Sequence, residues 1–170
     1  SFSGDKLMGG PQGGIIIGNE ALLKPIRVHP LSRALRPDKV TLAGITATLV
    51  HYLKGEAAQK IPVWRMISTP LETINKQANN WREYLGAGEV LKGFSTVGGG
   101  SLPTEEMPTY LLAINVEKPD ALMKTLRECH PPIIARIEDD KVLFDPRTVL
   151  PEQEAALLRN LSRLLENQNN

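Results

Sequence analysis

A cluster of glycines near the start of the chain leads directly into a run of isoleucines. Gly9-Gly10-Pro11-Gln12-Gly13-Gly14 has the composition of tight turns, and Ile15-Ile16-Ile17 has the uniformly apolar composition of a short strand buried on both faces. Loops that lead into central strands often carry functional residues. We therefore predict a buried strand at residues 15–17 and a functional loop before it.

A helix is predicted after this region. Asp38 is a suitable N-cap, Gly55 is a suitable stop, and apolar residues recur between them at helical spacing, namely Leu42, Ile45, Leu49 and Leu53. Residues 56–60 are small and polar and predict a linker. The boundary between two lobes is therefore expected near residue 62.

Beyond that boundary, helical and strand patterns alternate. Thr69-Pro70-Leu71-Glu72 combines a capping box with proline at the first helical position, and it predicts a helix with an apolar stripe at Leu71, Ile74, Ala78, Trp81 and Leu85. The further predicted elements are strands at 90–97 and 109–116, a helix from Pro119 to about Cys129, strands at 133–137 and 142–144 joined around Asp139 and Asp140, and a final helix from Pro151 with Leu157, Leu158, Leu161, Leu164 and Leu165 inward. The second lobe is predicted as an α+β sandwich.

Composition narrows the function classes. The chain has 170 residues, of which 41% are hydrophobic and 23% charged, as in ordinary globular proteins. A formal net charge of +1 gives no global field for nucleic acid or anionic membrane. The single cysteine, Cys129, favours a reducing compartment, and no apolar run approaches the roughly 20 residues that span a bilayer. We predict a cytoplasmic protein with no membrane role.

Lys6 is the first candidate for chemistry. A lysine beside Asp5 and close to glycines can approach a ligand without obstruction by neighbouring side chains. By itself this is weak evidence, because most lysines near a chain end are solvated surface charges. Asp5 has two interpretations of equal weight: it orients Lys6, or it pairs with an arginine across a subunit interface.

Arg33 and Arg36 are the second candidate. They belong to a cationic stretch with Lys24 and Arg27, because no acidic residue lies between Glu20 and Asp38. Arginine forks bind phosphate oxygens in bidentate fashion, so the pair is a candidate phosphate site. Salt bridges at a subunit interface are the alternative.

Two other features are weaker. The run of Gly98, Gly99 and Gly100 offers backbone amides to a ligand or phosphate, although such runs are more often plain connections. The histidines, at positions 29, 51 and 130, lack metal-ligand spacing, and Cys129 lacks a partner motif. We predict no metal site.

Several segments, in this order and spacing, resemble the bacterial selenocysteine synthase family, also called L-seryl-tRNA(Sec) selenium transferases. They are SGDKLMGGPQGGIIIG at 3–18, HPLSRALRPDK at 29–39, TVGGGSLP at 96–103, and the stretch 132–149 with its Arg-Ile-Glu-Asp-Asp core. Met8, Pro37 and Thr46 depart from the expected Leu, Val and Glu, and none of them is a proposed catalytic position.

The resemblance implies a fold and a domain division. The family is a fold-type-I pyridoxal-phosphate group of α/β class, and the chain is similar to its C-terminal portion. Residues 1–62 then correspond to a remnant of the cofactor-binding large domain, and residues 63–170 to a small α+β C-terminal domain.

The resemblance also implies a reaction. Lys6 forms a Schiff base with pyridoxal 5'-phosphate, which is exchanged for the amino group of seryl-tRNA(Sec), and the freed amine becomes a base. Loss of the seryl hydroxyl gives an aminoacrylyl-tRNA, to which selenium from selenophosphate adds, yielding selenocysteinyl-tRNA(Sec). Arg33 and Arg36 are implied to bind selenophosphate. Arg136 lies where many fold-type-I enzymes bind a substrate carboxylate, but that carboxylate is esterified here, so an ion pair with Asp139 or Asp140 is favoured.

Two alternatives to this function remain open. The chain begins inside the motif without methionine, so we expect it to be cut from a longer protein, without the tRNA-binding N-terminal domain and most of the cofactor pocket. The chain alone is then expected to be inactive, and a complete enzyme to be a homo-oligomer. The alternatives are a pyridoxal-phosphate lyase acting on a small amino acid or amino sugar, and a non-catalytic interaction module.

Overall fold

The computed structural model describes residues 1–98 and 104–168. The chain divides into two compact units, Ser1–Ser68 and Thr69–Asn170, so the division falls later than the boundary predicted near residue 62. The fold is mixed α/β with two small sheets. Among the described residues, no helix has both the length and the apolar character needed to cross a membrane.

The first unit is mostly helical. A small antiparallel sheet pairs β1 with β2, with Phe2 opposite Ile15 and Ser3 opposite Gly14. Its elements are β1 (Phe2–Ser3), β2 (Gly14–Ile15), α1 (Glu20–Val28), α2 (Pro30–Ala34), α3 (Lys39–Leu53), α4 (Ala57–Lys60) and α5 (Pro62–Ser68). The linker predicted at 56–60 is therefore wrong, because most of it forms the short helix α4.

The isoleucine run is not a strand buried on both faces. Only Ile15 belongs to β2, while Ile16 is 53% exposed and Ile17 is 75% exposed. The β-branched side chains favour extended backbone, but burial requires neighbouring strands. Within the described part of this unit, the two residues of β1 are the only strand partner.

Helix α3 is confirmed, but its packed face differs from the predicted one. It begins after Asp38, and Gly55 just beyond it has φ +69°. The predicted stripe is largely exposed, and Leu53 is 88% exposed. The packed face carries two small residues, Gly44 and Thr48, together with Ile45 of the predicted stripe, which is half-buried. Gly44 lies against Pro11, since a Cβ at Gly44 would lie 2.9 Å from Pro11 Cγ. Helical spacing identified the helix but not the face that has a partner.

The cap of α3 makes its stability depend on pH. Asp38 Oδ1 accepts hydrogen bonds from the backbone N–H groups of Val40 and Thr41 at 2.7 and 2.9 Å, and Thr41 Oγ1 donates to Oδ2 at 2.9 Å. The bonds from Thr41 are the main cause that lowers the pKa of Asp38. Because the folded-state pKa is depressed, the contribution to stability is present above the unfolded-state pKa and is lost as pH falls through the folded-state pKa.

We therefore expect Asp38→Ala to lower the thermal midpoint of α3 at neutral pH, and Asp38→Asn, which keeps an acceptor, to lower it less. The difference in thermal midpoint between wild type and Asp38→Ala should become smaller as the pH falls below about 4. Circular dichroism melts from about pH 7 to about pH 3 measure this. A gap that stays constant over the whole range would contradict the assignment of the cap.

The second unit is a sheet covered by helices on one face. Its four strands are all antiparallel, in the order β3-β4-β6-β5. Its elements are α6 (Leu71–Leu85), β3 (Glu89–Thr96), β4 (Glu106–Asn115), α7 (Pro119–Arg127), β5 (Arg136–Glu138), β6 (Lys141–Phe144), a 3₁₀ helix (Pro146–Thr148) and α8 (Pro151–Gln168). The predicted order of helices and strands is confirmed, with β5 starting later than residue 133.

The core of this unit joins the sheet to the helices. Leu112, Ile114, Val142 and Phe144 of the sheet pack with Trp81, Leu122, Leu126, Leu157 and Leu161 of the helices. The predicted stripe of α6 is confirmed at Ile74, Ala78 and Trp81, which are fully buried. Its start differs from the prediction: Pro70 is the N-cap and not the first helical residue, and it makes no side-chain cap bond.

Candidate functional site

The loop that carries Lys6 is closed by backbone hydrogen bonds. Gly4 N–H donates to Gly13 O at 2.8 Å, and Gly10 N–H donates to Gly4 O at 2.8 Å. Gly9 N–H donates to Lys6 O at 2.9 Å, which forms a turn from Lys6 to Gly9. Lys6 therefore lies on a backbone that is fixed on both sides, and the structure confirms a loop here, as predicted from the glycines.

Gly9, at the end of this turn, has no room for a side chain. Its φ is +73°, and a Cβ there would lie 2.3 Å from Ile61 Cγ2. Ile61 is 3% exposed, so it has little room to move away. Both the backbone conformation and the contact with Ile61 require glycine.

We expect Gly9→Ala to destabilise the first unit by about 2 kcal/mol or more, since the left-handed backbone alone costs about 1–2 kcal/mol and the contact with Ile61 adds strain. Gly55→Ala is the matched control for the backbone term, because Gly55 has φ +69° and no atom within 4 Å of its Cβ position. Gly18→Ala, which also meets no atom within 4 Å, should be nearly neutral. Urea unfolding measures the free energy of unfolding of each variant. Equal losses of stability for Gly9→Ala and Gly55→Ala would rule out an added strain from the contact with Ile61.

The Lys6 side chain is accessible and close to Asp5. Lys6 Nζ lies 3.3 Å from Asp5 Oδ2, and the Lys6 side chain is 47% exposed. The Asp5 carboxylate at this distance limits where the amine points. The structure thus brings Asp5 and Lys6 together, and a primary amine held in this way can act as a nucleophile or as a base.

The two arginines differ in position. Arg33 lies on α2 and Arg36 follows it before Asp38. Neither guanidinium forms an ion pair or hydrogen bond with another described residue of the chain. Arg36 lines a groove of about 1220 Å³, together with Gln12, Gly13 and Gly14 of the glycine loop and Thr41 of α3, whereas Lys6 and Arg33 do not line it.

The groove is lined by both an arginine and an acid. Arg36 and Asp38 both line it, and Asp38 keeps its negative charge while its oxygens accept the cap hydrogen bonds of α3. Of the two arginines, Arg36 is the one that lines the groove, where a guanidinium could contact an anion.

Arg136, in the second unit, has local partners. Its Nη2 donates to Phe94 O at 3.1 Å, and its Nε lies 3.5 Å from Glu138 Oε2. The predicted pairing with Asp139 or Asp140 is wrong, because these residues form the hairpin turn with φ values of 49° and 60°, and Glu138 is the acid on the same strand. Among the predicted glycines, Gly98 has φ +108°, and Gly99 and Gly100 lie outside the described residues.

All three histidines have structural contacts, and His130 Nδ1 lies 3.3 Å from Glu128 O. His29 Nδ1 accepts from Leu31 N–H at 3.2 Å at the start of α2, and His51 Nδ1 lies 2.8 Å from Glu56 Oε1. The hydrogen bond from His51 is the main cause that lowers the pKa of Glu56. In the part of the chain that the structure describes, no group of three or more His, Cys, Asp or Glu residues is arranged to hold a metal ion.

Two residues that contact the Lys6 loop, Tyr52 and Trp64, were not predicted from the sequence. Tyr52 Oη lies 3.2 Å from Leu7 O and 2.9 Å from Met8 O, and Trp64 Nε1 donates to Tyr52 Oη at 2.6 Å. Both aromatic side chains are only half-buried. The available signal was weak: tyrosine and tryptophan each combine an apolar ring with a polar group that needs a partner.

Comparison with known proteins gives a consistent result. A family model described as L-seryl-tRNA selenium transferase matches residues 1–150. A relative from Carboxydothermus hydrogenoformans is 44% identical over 164 residues, which cover 90% of this chain and 34% of the relative. A relative from Aquifex aeolicus is 40% identical over 172 residues, which cover 97% of this chain and 38% of the relative. Both are named L-seryl-tRNA(Sec) selenium transferase, and this chain spans little more than a third of their length.

Proposed function

The chain belongs to the L-seryl-tRNA selenium transferase family, and from this membership we propose that Lys6 holds pyridoxal 5'-phosphate in an enzyme that converts seryl-tRNA(Sec) to selenocysteinyl-tRNA(Sec). The observation that carries the proposal is the accessible Lys6 amine on a loop whose backbone is fixed. A fixed backbone with an accessible amine suits a lysine that must bind a ligand and then move a proton.

The described residues fit part of a cofactor site. Lys6 Nζ is accessible for attachment to an aldehyde, and two glycines, Gly9 and Gly10, begin three residues after it. Pyridoxal 5'-phosphate, when bound, supplies an electron sink for the negative charge left on the seryl α-carbon. Lys6 Nζ is then the group placed to take the α-proton, and Asp5, 3.3 Å away, orients that amine.

Arg33 and Arg36 are proposed to bind selenophosphate. Both guanidinium groups lack an acidic partner among the described residues, and Arg36 faces the groove that the glycine loop lines. A guanidinium fork matches the oxygens of a phosphate group. We assign Arg36 direct contact with the donor and Arg33 a supporting charge.

Recognition of the tRNA is proposed to lie mainly outside residues 1–170. The formal net charge of +1 provides no extended cationic surface for a polyanion. The tRNA substrate would place the reaction in the cytoplasm. A role in carboxylate binding is not assigned to Arg136, because Glu138 and Phe94 O already occupy its guanidinium.

The test uses a chimera in which residues 1–170 replace the matching stretch of the Aquifex aeolicus relative. With pyridoxal 5'-phosphate and selenophosphate, we expect the chimera to convert seryl-tRNA(Sec) to selenocysteinyl-tRNA(Sec), and the chain alone to form none. The parent relative is the positive control. A folded chimera that binds seryl-tRNA but forms no product, beside an active parent, would overturn the proposal.

Self-association is expected from the apolar surface of the first unit. Ile61 is the only fully buried hydrophobic residue among the described residues 1–68, whereas Val28, Leu35, Val40 and Leu53 are each more than 70% exposed. Apolar surface of this extent favours association. Light scattering of the purified chain should give a mass above the 18.7 kDa of the monomer, and Leu35→Gln with Leu53→Gln should lower it. A stable 18.7 kDa species at high concentration would contradict this expectation.

A further inference from the structure

The residues directly after Lys6 are held by a hydrogen-bonded pair of aromatic side chains. Tyr52 lies on α3 and Trp64 on α5, and both are half-buried. Trp64 Nε1 donates to Tyr52 Oη at 2.6 Å, while Tyr52 Oη lies within hydrogen-bond distance of two carbonyl oxygens, Leu7 O and Met8 O. The pair thus connects two helices to the Lys6 turn.

The direction of these bonds is fixed by the chemistry of the donors. An indole N–H only donates, so the Tyr52 oxygen accepts from Trp64, and its single hydroxyl proton is left for the carbonyls of Leu7 and Met8. A hydroxyl that accepts a hydrogen bond also donates more strongly. Without Trp64, the Tyr52 hydroxyl could rotate away from the turn.

A second contact holds the end of the same turn. Ile61, between α4 and α5, packs so closely on Gly9 that a Cβ at Gly9 would lie 2.3 Å from Ile61 Cγ2. The turn from Lys6 to Gly9 is therefore held at Leu7 and Met8 by Tyr52 and at Gly9 by Ile61. The Lys6 side chain takes no part in either contact and remains 47% exposed.

We propose that Tyr52 and Trp64 are a positioning pair for Lys6: they fix the backbone of its turn so that its amine reaches the carbonyl of an aldehyde ligand from one preset position. This inference rests on the proposed role of Lys6. Groups that react must be held within about 0.5 Å of their productive position, by neighbouring residues that are themselves fixed. Tyr52 acts on Lys6 only through the backbone of Leu7 and Met8.

The test compares Tyr52→Phe, Trp64→Phe and the unsubstituted sequence, each within the chimera, with Tyr84→Phe as the matched control, because Tyr84 is an exposed tyrosine of the second unit. The first readout is hydrogen exchange at the Gly9 and Gly10 amides, which report whether the loop is closed. The second is the attachment of pyridoxal 5'-phosphate to Lys6 after borohydride reduction, relative to Lys24 in the same sample. Lys24 is exposed on α1 and serves as the internal reference.

In Tyr52→Phe we expect exchange at Gly9 and Gly10 to accelerate about tenfold, as for loss of one buried hydrogen bond, and the preference for Lys6 over Lys24 to fall severalfold. Trp64→Phe should show the same changes to a smaller extent, and Tyr84→Phe neither. The amides of α3 should keep their wild-type exchange rates in every variant.

Three results would overturn the positioning role: unchanged exchange at Gly9 and Gly10, faster exchange throughout α3, or faster exchange of the turn with an unchanged preference for Lys6. The proposed function fails in a different way. If the wild-type chimera shows no preference for Lys6 over Lys24, Lys6 is not the cofactor lysine, and the exchange measurement still decides whether Tyr52 holds the turn.

Discussion

Replacing Lys6 by alanine should reduce the consumption of seryl-tRNA(Sec) by the chimera by a factor of about a thousand or more. The residue is proposed to attach the cofactor and to move the α-proton, and loss of a proton-transferring group alone commonly costs about 10²- to 10⁴-fold in rate. Both the loss of the seryl hydroxyl and the later delivery of selenium depend on that first proton transfer. Both should therefore fall together.

Two variants separate this role from a general effect of charge. Lys6→Arg keeps the positive charge beside Asp5, but its guanidinium stays protonated and cannot act as an amine, so it should be as inactive as Lys6→Ala. Lys24→Ala removes an exposed lysine of α1 and should leave the rate unchanged. Activity retained in Lys6→Arg would contradict the proposed chemistry, because it would mean that charge suffices.

Replacing Arg36 by alanine should affect only the delivery of selenium. In the proposed reaction, loss of the seryl hydroxyl requires Lys6 and the cofactor but no phosphate-bearing donor, whereas delivery requires an anionic donor held close to the reacting carbon. Loss of one charge-assisted hydrogen-bonding fork costs about 1.5 to 3 kcal/mol, or roughly ten- to a hundredfold in rate or affinity. Arg36→Lys should recover part of this loss, since it keeps the charge without the planar fork.

The positions of the two arginines also predict which substitution lowers selenium delivery more. Arg36 lines the groove beside the glycine loop and Arg33 does not, so Arg36→Ala should cost more than Arg33→Ala. Seryl-tRNA consumption and selenocysteinyl-tRNA formation are followed separately in each variant while selenophosphate is varied. An equal fall in both steps, together with dissociation of subunits, would show that the arginines hold an interface, and the donor site would have to be abandoned.

Local signals in the sequence predicted most of the secondary structure. Asp38 and Gly55 bracket α3 as expected, and Pro119 and Pro151 open α7 and α8. Asp139 and Asp140, both at positive φ, form the predicted hairpin turn. Caps, prolines and turn residues act within a few residues of their own position, so a single sequence contains the information needed to place them.

Packing partners were harder to predict than elements. The exposure of Ile16 and Ile17, and of the stripe at Leu42 to Leu53 on α3, depends on which surfaces meet them, and periodicity does not contain that information. The same reason explains Tyr52, whose contact with Met8 joins residues 44 positions apart. The roles of Lys6 and Arg36 stay predictions, which rest on their residue type and on the family resemblance.

The most direct test of the account is to locate the lysine that holds the cofactor. The chimera is incubated with pyridoxal 5'-phosphate, reduced with borohydride and digested, and the modified peptide is identified by mass spectrometry. We expect the label on Lys6 and its disappearance in Lys6→Arg, with much weaker labelling of Lys6 in the chain alone. A label on another lysine of the wild-type chimera, with Lys6 unmodified, would contradict the account.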